Sequence, residues 1–185
     1  MASLIYFLNH IASWKTWLLL LILYVSFPAY WLKNAETTIN RLANKPIGPI
    51  DLTIDYNPAR TRQMIADYGP AARAYYAHTE LTTDLIYPLV YSLLLAVTLT
   101  LLFQTKSYKS AEKITLLPFV VLLFDFLENA MIVSMLVDYP TQSPVLVSLC
   151  EVFKLIKWLS FGLTILLVLY GLFQLLMSKI QTNLY

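Results

Sequence analysis

Cysteine is almost missing from this chain of 185 residues: Cys150 stands alone. One thiol excludes an intrachain disulfide and every CxxC redox or zinc motif. It also excludes the quinone-linked disulfide-forming membrane enzymes, which share a four-helix plan but work through cysteine pairs. Charge is scarce too, with 13% Asp, Glu, Lys and Arg and a net charge of +2. That is too little for a nucleic-acid footprint, and no basic, aromatic-interleaved or zinc-ligand motif supports one. There are two histidines, His10 and His78, far apart. No Asn-x-Ser/Thr sequon, Ser-His-Asp set, HExxH, GxSxG or glycine-rich phosphate loop occurs. No cofactor and no metal is therefore expected.

The chain is rich in apolar residues, at 58%, and its mean hydropathy is +0.63. Both lie well above the usual range of a soluble domain. The pattern predicts an all-α integral membrane protein, a single membrane domain over 1–185. Its four spans fall at about 14–31, 84–103, 114–137 and 145–177, with a cap over 33–83. The first apolar run has one flanking Lys15 and no small-x-small cleavage site, so it reads as a retained anchor. Trp14, Lys15 and Trp17 mark one end of it, and Tyr30, Trp31 and Lys33 the other, as aromatic and basic residues do at interfaces. Pro28 is expected to kink or end that helix.

Within the cap, Lys45 to Pro49 reads as a turn. Ile50 to Tyr56 alternates apolar and polar, which suits a short strand or an extended segment. Asn57-Pro58 opens a short helix that Gly69 closes, and Pro70 opens the next. That next helix is expected to run unbroken to Phe103, bent at Pro88. The loop after the second span carries Lys106, Lys109 and Lys113, while the loop after the third carries no basic residue. The positive-inside rule then places both termini in the cytoplasm and the cap outside, as in a bacterial inner membrane.

The polar residues inside the spans stand out. A charge near a bilayer centre costs about 2.5–3.5 kcal/mol on insertion scales, so it signals a partner or a function. Asp84, Tyr87 and Tyr91 share a narrow arc of the second span. Asp125, Glu128, Asn129 and Ile132 share a face of the third, and Glu151, Lys154 and Lys157 lie within about 120° on the fourth. By depth, all three faces fall in the external half of the bilayer, whichever way the chain is inserted. The other half has almost nothing comparable: Thr98, Thr100 and Thr164 are its most polar groups. The simplest pairing is Glu128 or Asp125 with Lys157, and Glu151 with Lys154. Asp125 and Glu128 offer oxygens to a hard cation, but two carboxylates alone do not make a metal site. Arg73, Tyr75, Tyr76 and His78 are expected above the cluster as a lid. Cys150 reads as a packing residue.

Gly69-x-x-x-Arg73-x-Tyr75, Asp84-x-x-Tyr87-Pro88-x-x-Tyr91 and Asp125-x-x-Glu128-Asn129 together resemble a pattern found in a broad, chiefly bacterial set of small four-span membrane proteins. The resemblance covers about Asp51 to Lys157, and no activity comes with it. Ala72 stands where that pattern has a second glycine. The span order is also similar to claudin-like proteins, but their loop signature of a tryptophan with a cysteine pair is absent.

Three readings follow. The first is a pocket for a lipid-like or small amphiphilic ligand, with Asp125, Glu128 and Asn129 as its floor. Arg73, Lys154 and Lys157 would take an anionic group, Tyr87 and Tyr91 would form walls, and Asp84 and Glu151 would complete the lining. The second is a membrane-embedded enzyme acting on a lipid or isoprenoid through carboxylate acid–base chemistry. The third is ion- or proton-coupled transport by a homo-oligomer, which needs polar faces turned toward a shared axis. Membrane lipids are the expected partners, and nucleic acid is not.

Overall fold

The computed structural model describes residues 2–103 and 113–182. Among these there are helices and irregular links but no strand. A short helix α1 (Ala2–Ile11) leads into α2 (Trp14–Ser26), whose first turn is capped by the Ser13 hydroxyl accepting from Thr16 N–H. A π-helical turn over Phe27–Trp31 joins α2 directly to α3 (Leu32–Ala43). Pro28 therefore neither ends the span nor begins the cap. Proline has no N–H and its ring crowds the carbonyl four residues back, and the wider turn absorbs the misfit. The Leu32 N–H donates to Phe27 C=O, and the helix runs on to Asn44, which ends it in the left-handed region at φ 54°. The predicted cap at 33–83 is thus helical at its start.

After α3 the chain loops over 44–57 without forming a strand. The alternation over Ile50–Tyr56 does not mark a strand: Ile50 is buried, while Leu52, Ile54 and Tyr56 are exposed. Helix α4 (Pro58–Glu80) starts as predicted, with the Asn57 side chain accepting from Arg60 N–H. It contains a sharp break at Gly69, with φ 70° and ψ 170°, a conformation essentially confined to glycine. A second break at Leu81–Thr82 separates α4 from α5 (Thr83–Phe103), so the expected single helix from Pro70 to Phe103 is two. Helices α6 (Leu117–Val137) and α7 (Pro144–Thr182) complete the bundle. Lys106, Lys109 and Glu112 lie outside the described residues.

Among the described residues four helical stretches are long and apolar enough to cross a bilayer: 14–43, 58–103, 117–137 and 144–180. The chain is a multi-pass integral membrane protein. Its exposed surface agrees with that. Leu18, Leu19 and Ile22 on α2, and Leu159, Leu163 and Leu166 on α7, are exposed, a cost in water that lipid removes. Helix α6 packs most extensively on α7 and also against α4 and α5, while α2 leans on α5. The Trp17 indole N–H donates to Thr98 Oγ1 at 3.0 Å across that contact. The main apolar core lies at the cap end, where Ile65, Tyr68 and Tyr76 of α4 meet Ile132 and Met135 of α6 and Cys150 of α7.

Candidate functional site

The three polar faces do meet at one end of the bundle. Lys157 Nζ lies 2.5 Å from Glu128 Oε2 and 3.9 Å from Asp125 Oδ2. Among the described residues the Lys157 ammonium is the one partner of the Glu128 carboxylate. Asp125 has a second partner, the Tyr91 hydroxyl, which donates to Oδ2 at 2.5 Å. Asn129 does something different. Its amide donates to the Asp84 backbone carbonyl and to Asp84 Oδ2, both at 3.1 Å. Pro88 has no N–H to give to the carbonyl four residues back, which is Asp84's. The Asn129 amide fills that vacancy, as an apolar medium requires.

Glu151 and Lys154 form a second, separate pair at 2.8 Å, both fully buried. Glu151 also accepts from Thr61 Oγ1 at 2.6 Å and from Asn57 N–H at 2.7 Å, and Lys154 donates to Thr53 Oγ1 at 2.7 Å. The pair therefore clasps the 53–61 segment to α7. It does not line the cavity described next.

That cavity has a volume of about 590 Å³, within the usual span of ligand sites, about 300–1,000 Å³. It lies between the α2–α3 unit on one side and α4, α5, α6 and α7 on the other. Its deep end is formed by Glu80, Asp84, Val121 and Asp125, all buried, and its rim by the exposed Pro28, Lys33, Glu36 and Leu52. One wall is a chain of rings. Tyr24 and Phe27 pack on Tyr87, with centroids at 5.7 and 5.3 Å. Tyr87 meets Tyr91 at 5.4 Å, Tyr91 meets Phe161 at 6.2 Å, and Phe161 meets Trp158 at 5.9 Å. Edge-to-face and offset pairs of this kind fix ring orientation as well as burying area.

Carboxylates line the same space, set among these rings. Asp51 sits at the mouth, fixed by three contacts. The Tyr76 hydroxyl donates to its Oδ1 at 2.9 Å and accepts from Ile50 N–H at 2.8 Å, and the Trp158 indole donates to the Asp51 carbonyl at 3.3 Å. Glu80 lines the cavity at 2% exposure, and its Oε2 has no hydrogen-bond partner among the described residues. No group of three or more His, Cys, Asp or Glu among the described residues is arranged to hold a metal ion.

Several expected site residues lie elsewhere. Arg73 stacks its guanidinium on the Tyr139 ring at 3.9 Å and donates to Ile65 C=O at 3.1 Å. It closes the Gly69 break and is not part of the cavity lining, so it forms no lid. His78 is exposed, and Tyr76 is the one member of that proposed lid that reaches the cavity. Glu128, Asn129, Glu151 and Lys154 lie behind the lining, whereas Asp84, Tyr87, Tyr91, Asp125 and Lys157 form part of it. Sequence reasoning missed Asp51, Glu80 and Trp158. For Glu80 a signal existed, since it precedes Asp84 by four residues on a nearly continuous helix. Asp51 sits on a loop, where no periodicity reveals its direction. No family model, curated protein or solved structure matches the chain.

Proposed function

We propose that this protein binds a lipid-like or small amphiphilic molecule in the cavity between its first and last spans. The observation that carries the reading is the cavity itself, with its buried polar end, aromatic wall and rim of exposed residues. A structural ion pair needs no such space, and α6 and α7 supply the Lys157–Glu128 pair without it. Polar groups at depth in a membrane protein line substrate or ion pathways far more often than chance. A molecule with an apolar body and a polar head matches a lining that combines rings with carboxylates.

One observation favours a second reading. Glu80 Oε2 is buried, unpaired and at the cavity surface, which is where an acid–base catalyst acting on a lipid or isoprenoid would stand. Transport gains less support, because the polar path stops at Asp125 and Lys157. The lysines of the 104–113 loop favour both termini on the cytoplasmic side, as for a bacterial inner-membrane protein, and the cavity then faces the outer leaflet.

The test is native mass spectrometry of gently purified protein, with identification of retained small molecules. It compares the wild type with Ala35→Phe, which places a ring into the cavity from α3. A molecule held by the wild type and lost from a folded Ala35→Phe supports the reading. A wild type that retains nothing, and whose melting temperature no lipid extract shifts, overturns it.

A further inference from the structure

The charge balance of the cavity identifies the class of head group. We infer that the site takes a cation: a protonated amine or quaternary ammonium carried on a compact apolar body. The inference rests on reading the cavity as a binding site.

Four carboxylates line the cavity inside its rim: Asp51, Glu80, Asp84 and Asp125. Lys157 is the one cationic side chain there, because Lys33 is on the exposed rim beside Glu36. Lys157 is already engaged, at 2.5 Å, by Glu128, which sits behind the lining. It also lies 3.9 Å from Asp125 and 5.6 Å over the Trp158 ring, so this one cation serves Glu128 and Asp125, and Asp51, Glu80 and Asp84 have no cation within ion-pair distance among the described residues. Arg73 and Lys154, the other cations near this end, are held by Tyr139 and by Glu151 with Thr53. An anionic head would meet carboxyl groups, poor partners for an anion, and no cation left unengaged among the described residues.

An independent observation singles out a contact point. The Glu80 side chain is 2% exposed, borders the cavity and leaves Oε2 without a donor among the described residues. A buried acceptor without a donor is destabilising, the more so if charged. An ammonium N–H, or the charge of a quaternary nitrogen, supplies the missing partner. The aromatic part of the lining suits the same guest. Tyr24, Tyr87, Tyr91, Phe161 and Trp158 present rings to the space, and ring faces attract cations within about 6 Å. A small inorganic cation fits less well. A hard divalent ion needs six or more oxygens, and no cluster of three ligating side chains is assembled among the described residues. An organic cation instead spreads its charge over rings and carboxylates together.

The experiment uses the full chain in nanodiscs of zwitterionic lipid, with Trp14, Trp17 and Trp31 replaced by Phe so that Trp158 alone reports. Three amphiphiles with one decyl chain are titrated: decyltrimethylammonium, decanol and decyl sulfate. Ala35→Phe discs give the background from partition into lipid. The expected result is a saturable Trp158 response to the ammonium at about tenfold lower concentration than to the other two. Glu80→Gln should weaken it about tenfold, the effect of roughly 1.4 kcal/mol. Asp51→Asn, at the partly exposed mouth, serves as a second variant should Glu80→Gln fail to fold. A preference for decanol or decyl sulfate overturns the cation assignment and leaves the pocket standing. A cation preference that survives both variants overturns the role of the carboxylates. Saturable binding of none of the three, beyond the Ala35→Phe background, overturns the pocket along with the cation.

Discussion

Replacing Lys157 with methionine removes the one cation that Glu128 touches and leaves side-chain volume nearly unchanged. Glu128 is 0% exposed, and no other donor reaches its oxygens among the described residues. Breaking a buried ion pair from one side costs about 3–5 kcal/mol, because the remaining charge is left without a partner. For a chain of this size each kcal/mol moves the melting temperature by roughly 2–4 °C, so the loss should be about 6–20 °C. The geometry also says which second change repairs the damage. Asp125 keeps the Tyr91 hydroxyl at 2.5 Å, while Glu128 keeps nothing. Glu128→Leu added to Lys157→Met should therefore return stability to within about 1 kcal/mol of the wild type, since apolar replacement of a whole pair is often neutral. Asp125→Leu added instead should not help, because it strands Tyr91 and leaves Glu128 uncompensated. Unfolding followed in detergent, with the two double-mutant cycles, measures all of this. A Lys157→Met cost below about 1 kcal/mol, or equal rescue by both second changes, would refute the pairing.

The Glu151 clasp makes a local prediction as well as a global one. Glu151→Leu removes the acceptor for Asn57 N–H, Thr61 and Lys154 together. Stability should fall by about 3–5 kcal/mol, and hydrogen exchange should accelerate over residues 50–61 more than in α6. Uniform exchange across both regions would argue against the clasp. The glycines of α7 should behave oppositely. A Cβ on Gly171 would stand 3.0 Å from Leu102 Cβ and 3.2 Å from Phe103 Cε2, whereas one on Gly162 meets nothing within 4 Å. Gly171→Ala should thus destabilise by about 1–3 kcal/mol through overpacking. Gly162→Ala should gain up to about 1 kcal/mol from helix propensity. Melting midpoints of the two variants give the comparison, and equal shifts would show that α5 and α7 do not meet so closely.

Much of this architecture follows from the sequence by itself. A run of apolar residues long enough to span a bilayer can satisfy its backbone only as a helix, so four runs determine four spans. Spacing of three and four residues places Asp125, Glu128 and Asn129 on one face, and Glu151 and Lys154 one turn apart, because helix geometry is local. The order of spans then determines that these faces share one end of the bundle. The start of α4 at Asn57-Pro58 and the break at Gly69 are equally local, set by one cap and one backbone conformation.

Tertiary structure decided the rest. Lys157 chooses Glu128 over Asp125 because Tyr91 reaches Asp125 from α5. Two lysines on one helix, Lys154 and Lys157, serve different ends: one clasps a loop, the other an acid behind the cavity lining. Which does which depends on how α4 and α6 pack on α7, and no spacing within α7 encodes that. Asp51 joins the cavity through a loop whose course is set by Tyr76 and Trp158, residues 25 and 107 positions away. The cavity is the clearest case. It is space left between the α2–α3 unit and the other helices, fixed by the continuation of α2 through Pro28 and by the turn between Glu80 and Thr83. Empty volume belongs to no residue, so periodicity can show which faces are polar but not whether they close on each other or on a guest.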